Sequence, residues 1–255
     1  MRILSLNNVT KTFGGLVAVA GVSCGVDRGT VVGLIGPNGA GKTTVFNMIT
    51  GSTRPDDGHI FFAGHSIRGL RPHRIVALGI ARTFQTIRLF PGLSVLENVL
   101  SGCHCRMHSG LVSSLLRLPG QRREERLVIE RAMAELEFVG LAGLWRSTAG
   151  SLAYGDQRRL EIARALATEP RLLILDEPAG GMNEQETQEL AALVGSIRDR
   201  DVTIMLIEHD MGFVMPVCDQ LLVMENGILI AQGTPKEIQN NPKVVEAYLG
   251  LDEDA

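Results

Sequence analysis

An α/β fold carrying a helical lobe is predicted by three features of this 255-residue chain. The first is the apolar run Val31-Val32-Gly33-Leu34-Ile35 leading straight into Gly36-Pro37-Asn38-Gly39-Ala40-Gly41-Lys42-Thr43, which fits G-x-x-x-x-G-K-[ST]. The second is a pair of later apolar runs that end abruptly in polar residues: Leu172 to Leu175 before Asp176-Glu177-Pro178, and Val202 to Ile207 before Glu208-His209-Asp210. The third is a change of character between about 90 and 165, where long, charged, helix-periodic stretches replace the strand-like runs. Three polar groups distant in sequence therefore sit where apolar strands finish, which is where ligands bind in open parallel sheets.

Residues 3 to 35 read as short strands with glycine turns, including Val17 to Val19 and Thr30 to Ile35, and a helix follows from about Lys42 to Ile49. Val95 to Leu100 and Arg122 to Phe138 read as helices of the lobe, with Arg106 to Gln121 as a loop or short helix pair between them. Buried strands over Leu172 to Leu175 and Val202 to Ile207 restore the α/β pattern. Leu221 to Glu225 and Ile228 to Ala231 form a hairpin round Asn226-Gly227, and a helix from about Pro242 to Leu249 follows.

The eight-residue loop carries the strongest chemical signal. Glycines let successive backbone N–H groups turn inward on phosphate oxygens, the following helix aims its positive end at them, and Lys42 adds a full charge. From this chain's own composition a chance match is expected about 0.005 times. A formal charge of −3 gives no overall footprint for nucleic acid. No signal peptide is visible, and no uncharged apolar run reaches the roughly 18 residues needed to span a bilayer. Cys24, Cys103, Cys105 and Cys218 show no disulfide-type framework. Cys103 to His108 lacks metal-site spacing and reads as a variable surface segment.

Leu152-Ala153-Tyr154-Gly155-Asp156-Gln157-Arg158-Arg159-Leu160 resembles the signature segment of ATP-binding-cassette (ABC) ATPases, with Asp156 lying 20 residues ahead of Asp176. With Gln85 in Thr83-Phe84-Gln85 and His209 after the later strand, the ordered set is similar to that family over essentially the whole chain. The stretch 152 to 164, Phe13-Gly14-Gly15-Leu16, Ile207 to Met211 and Ala247-Tyr248-Leu249-Gly250 resemble the ATPase subunit of bacterial branched-chain amino acid uptake systems. The resemblance implies one P-loop NTPase domain over 1–255 of the ABC-ATPase fold. Its parts are a mixed-sheet core with an N-terminal antiparallel β region (1–89 and 166–255) and a helical subdomain (about 90–165).

It also implies roles. Gly36 to Thr43, with Thr44, hold the phosphates, and Phe13 stacks on adenine. Asp176 would satisfy its costly buried charge on Mg2+, which also meets Thr43 and Gln85. Glu177, pointing the opposite way if the strand continues, reaches the attacking water as general base, and His209 and Gln85 orient that water and sense the γ-phosphate. Leu152, Ala153, Tyr154, Gly155 and Asp156 complete the ATP site of a second cassette subunit, either an identical chain or a paralogue, the subfamily resemblance favouring a paralogue. Ala153 and Tyr154 depart from the serine and first glycine usual in the wider family, and Asn183 from its aspartate.

The implied whole is a peripheral ATPase on the cytoplasmic face of a bacterial membrane. Its partners are integral permease subunits, met through a surface near Gln85 and Thr86 to Val95, and an extracytoplasmic solute-binding protein. The implied cargo is a branched-chain or other hydrophobic amino acid; urea, short-chain amides or lipopolysaccharide belong to related systems. A cassette acting on nucleic acid or ribosomes would show tandem cassettes or basic extensions, whereas Arg122-Arg123-Glu124-Glu125-Arg126 is mixed in sign. Intact Lys42, Asp176, Glu177 and His209 argue against a scaffold that does not hydrolyse ATP.

Overall fold

The computed structural model describes residues 1–103 and 119–249, which group into two compact units: Met1–Arg82 with Arg171–Ala255, and Thr83–Pro170. The first unit contains two sheets. β1 (Arg2–Phe13) and β2 (Leu16–Asp27) form a long antiparallel hairpin that β4 (Asp57–Phe62) and β5 (His65–Ser66) extend in the order β2-β1-β4-β5. These two strands are 12 residues each, longer than the glycines in this stretch suggest. Gly21, at φ 63°, lies where the register slips between Val9↔Val22 and Lys11↔Val19, so it makes a bulge and not a turn.

The second sheet runs β10-β9-β3-β8-β7-β6. β3 (Val31–Ile35), β6 (Ile80–Arg82), β7 (Leu172–Asp176), β8 (Thr203–Ile207) and β9 (Gln220–Glu225) pair in parallel, and β10 (Ile228–Gly233) closes antiparallel on β9. β3, β7 and β8 are buried at every position, which is why they read as continuous apolar runs and not as alternations. Helices α1 (Lys42–Ile49), α2 (Pro72–Leu78), α6 (Glu184–Asp199), α7 (Met211–Val217), α8 (Pro235–Gln239) and α9 (Pro242–Leu249) complete this unit. Its core joins Leu4, Leu6 and Val9 of the hairpin to Val32, Leu34, Phe46, Ile174 and Met205.

The second unit holds α3 (Val95–Cys103), α4 (Pro119–Phe138) and α5 (Tyr154–Leu166). α3 packs on both α4 and α5. A Cβ on Gly102 would stand 2.2 Å from the Arg164 carbonyl oxygen, so glycine lets the α3 and α5 backbones touch. The readings of 104–118, including Cys105 and His108, and of Gly250 lie outside the described residues, and nothing is described of the Arg122–Glu125 side chains. Cys103 itself is buried.

Candidate nucleotide site

β3 delivers the chain into the phosphate loop, and two glycines make the loop possible. Gly36 has φ 142°, and a Cβ there would meet the Met224 carbonyl oxygen at 2.0 Å. Gly41 has φ 95°, and a Cβ there would stand 2.3 Å from the Ala18 carbonyl oxygen. Any side chain at either position would displace backbone, so the loop closes only with glycine. Gly41 also caps α1 in the left-handed conformation with no side-chain hydrogen bond, which leaves the first-turn N–H groups as donors for an anion.

Lys42 folds back along its own loop. Its Nζ donates to Gly36 O at 2.7 Å and Pro37 O at 2.8 Å. Burial pushes its pKa down, against an opposing pull from the Glu177 carboxylate. The ammonium is thus held at the mouth of the loop.

A cavity of about 470 Å3 opens over this loop. Asn38 to Thr44 line one side, Phe13, Leu16 and Val17 of the β1–β2 turn another, and Glu177 and the Asn226-Gly227 turn the rest. Phe13 is 50% exposed with Lys11 Nζ 5.2 Å from its ring centre, so it stands at the rim and not in the core. The open apolar face of a ring beside a phosphate cradle suits a nucleotide base.

At the end of β7, Asp176 is 5% exposed and is already paired: Arg82 Nη2 donates to its Oδ2 at 2.6 Å. The same guanidinium reaches Asn47 Oδ1 at 2.7 Å and Thr50 Oγ1 at 3.3 Å on and just after α1. Arg82 thus gives this buried carboxylate one cationic partner from within the chain. The sequence reading missed Arg82; its signal was an arginine ending an apolar strand, where a charge needs a partner.

Glu177 also differs from expectation. The strand stops at Asp176, and Glu177 takes φ 47°, left-handed, with its N–H donating to Ile207 O at 3.0 Å. It reaches the cavity through this turn and not through strand alternation, and a non-glycine residue held there marks stored backbone strain of about 1 kcal/mol or more.

His209 follows β8, largely exposed, with Nδ1 3.8 Å from Glu208 Oε2. Glu208 was not singled out, yet it is 1% exposed and accepts from Ala179 N at 2.7 Å and His209 N at 3.2 Å. Burial raises its pKa, and those backbone donors oppose the rise. It ties the segment after Asp176-Glu177 to the segment carrying His209. Asn183, singled out as a departure, caps α6: its side chain accepts from Glu186 N at 3.0 Å while Glu186 returns to Asn183 N at 3.0 Å.

The remaining site residues belong to the second unit. Gln85 is exposed in the segment following β6. Ala153 is the N-cap of α5 without a side-chain hydrogen bond, as the absent hydroxyl dictates; Tyr154 opens the helix 43% exposed, and Asp156 sits in its acidic first turn. Gln157 Nε2 donates to Leu152 O at 2.9 Å, holding the entry to the helix.

Among the described residues no three His, Cys, Asp or Glu side chains cluster to cage a cation. A hard Mg2+ fits what is present, the Asp176 carboxylate and the Thr43 hydroxyl, because such an ion takes its remaining oxygens from phosphates and water.

The comparisons agree with this geometry. The family model described as ABC transporter matches residues 19–180, and one described as branched-chain amino acid ATP-binding cassette transporter matches 229–254. The chain is 47% identical over 249 residues, 97% of its length and 98% of the relative's, to the high-affinity branched-chain amino acid transport ATP-binding protein BraF of Pseudomonas aeruginosa. Identity and coverage are the same against LivG of Escherichia coli strain K12. Among solved structures, the ADP conformation of MJ1267, an ATP-binding cassette of an ABC transporter, superposes with a TM-score of 0.86 at 37% identity, covering 98% of this chain and 99% of that one. Phosphate loop, strand-end acids, mixed sheet and helical unit thus converge with sequence likeness along nearly the whole chain, which belongs to the ABC transporter family as an ATP-binding cassette ATPase.

Proposed function

We propose that this cassette powers the uptake of branched-chain or other hydrophobic amino acids, bound to integral permease subunits on the cytoplasmic face of the membrane and paired with a second cassette. The observation that carries the catalytic part is the cavity that gathers Phe13, the phosphate loop and Glu177. For the cargo, support comes from the relatives' stated substrates and from the C-terminal match over 229–254. No helix among the described residues is long and apolar enough to cross a membrane.

In this reading the loop N–H groups and Lys42 bind the β- and γ-phosphates of ATP, with the Lys42 ammonium exchanging its loop carbonyls for phosphate oxygens. Thr43 and Asp176, with Gln85 as the resemblance implies, would hold Mg2+, which when bound would neutralise charge on those phosphates. The Glu177 carboxylate accepts a proton from water as its oxygen bonds to the γ-phosphorus and the bond to the β-phosphate oxygen breaks. His209 and Gln85 orient that water. Leu152 to Asp156 serve the site of the facing cassette, presenting the N-terminal end of α5 to its γ-phosphate.

The test is reconstitution with the permeases, companion cassette and solute receptor in liposomes. ATP-dependent leucine uptake is expected, and uptake of urea or amides without leucine would overturn the cargo assignment. Glu177→Gln is expected to keep ATP affinity while slowing turnover about 10^2- to 10^4-fold. Unchanged turnover would remove Glu177 as the base.

A further inference from the structure

Among the described residues Arg158 is the largest side chain buried completely, an expensive location for a charge that the nucleotide cavity does not use. It lies one turn into α5 and spends its guanidinium on four partners. Nη1 donates to Phe84 O at 2.7 Å and to Glu161 Oε2 at 3.0 Å. Nη2 donates to Gln85 O at 3.0 Å and to the Tyr154 hydroxyl at 3.4 Å. Glu161, on the same helix and 1% exposed, uses its other oxygen to accept from Arg88 N at 3.2 Å.

We infer that Arg158 is a positioning residue that locks the backbone of Gln85 to the first turn of the signature helix, so that displacement of one displaces the other. Residues 83–90 have no helix or strand ladder of their own. Two successive carbonyls there accept from one planar fork, and a third backbone group, the Arg88 N–H, donates to the fork's ion-pair partner. Only arginine presents donors in that rigid geometry. A buried ion pair adds little net stability over apolar residues of similar size, so what it contributes here is fixed geometry. Tyr154 extends the lock into the signature itself. The glycine usual at this position in the wider family has no side chain to reach a guanidinium, whereas here the ring also lies 6.0 Å from Arg158 Cζ.

The inference rests on the proposed roles of Gln85 and of the signature segment. It is tested in the assembled transporter with Arg158→Met/Glu161→Met, which keeps buried volume without charge, alongside Gln85→Ala as reference. The double variant is expected to bind ATP as the parent does, keep its thermal midpoint, hold KM for ATP within about twofold, and lose kcat at least about tenfold. A folded double variant with parental kcat, beside an impaired Gln85→Ala, overturns the lock and leaves the functional reading standing. Parental kcat in Gln85→Ala overturns both. Should the double variant fail to fold, a cycle of Tyr154→Phe with Arg158→Lys carries the test. Each single change is expected to lower kcat about threefold, with no further loss in combination. Additive losses overturn the lock.

Discussion

Glu208 shows how one buried carboxyl can organise a site without touching what the site binds. Its oxygens hold the backbone N–H groups of Ala179 and His209, so the chain leaving Asp176-Glu177 and the chain carrying His209 share one anchor. Burial raises its pKa above the ordinary value of 4.5, so the folded chain binds this proton more tightly than the unfolded chain. The resulting share of stability is complete below the unfolded pKa and is lost as pH rises through the folded one. Glu208→Gln keeps a carbonyl oxygen for Ala179 and never ionises. Its thermal midpoint relative to the parent's is therefore expected to improve between about pH 5 and about pH 8. A constant difference across that range would show that Glu208 does not titrate against folding.

At the scale of elements, the helix that follows the Asp176-Glu177 turn depends on its N-cap residue. Asn183 and Glu186 exchange hydrogen bonds at both ends of a capping box, which satisfies two of the donors an α-helix leaves unpaired. Asn183→Ala is expected to cost about 1 kcal/mol, seen as a fall of about 2 to 4 °C in Tm, while Asn183→Asp retains the cap. An unchanged Tm in the alanine variant would assign α6 its start by tertiary packing alone. The elements also differed in how plainly the sequence announced them. α1, α9 and the β9–β10 hairpin were legible because a phosphate loop, a proline at the first helical turn and an Asn-Gly turn are local signals. β1 and β2 were not read at full length, because a glycine bulge and a glycine turn look alike until the partner strand is known. Glu177 was found by position but for an incorrect geometric reason, since left-handed backbone at a glutamate has no sequence signature. Arg82, Arg158 and Glu208 hold the site through tertiary hydrogen bonds, and such partners stand 94, 73 and 29 residues away.

For the molecule as a whole, the division into two units leaves the nucleotide cavity within one of them. Every residue lining the nucleotide cavity belongs to Met1–Arg82 or Arg171–Ala255. The two cut ends of that unit belong to neighbouring parallel strands, with Arg82 paired to Ile174, and Arg171 N bonded to Gly79 O at 2.8 Å. Replacing 83–170 with a short Gly/Ser linker is therefore expected to leave a folded core that binds ATP within about tenfold of the parent affinity while losing hydrolysis in the transporter. A core that folds but does not take up a fluorescent ATP analogue would show that the second unit contributes to binding itself.

The β9–β10 hairpin has a further consequence. Met224 O blocks any side chain at Gly36, Gly227 N donates to Ala40 O at 3.2 Å, and Ala20 N donates to Gly227 O at 2.8 Å. The ribbon that begins the subfamily-specific tail is thus also the buttress behind the anion cradle. Exchanging the matched tail would replace β10, whose Leu229 pairs with Met224, and so would disturb from behind the strand on which the phosphate loop closes.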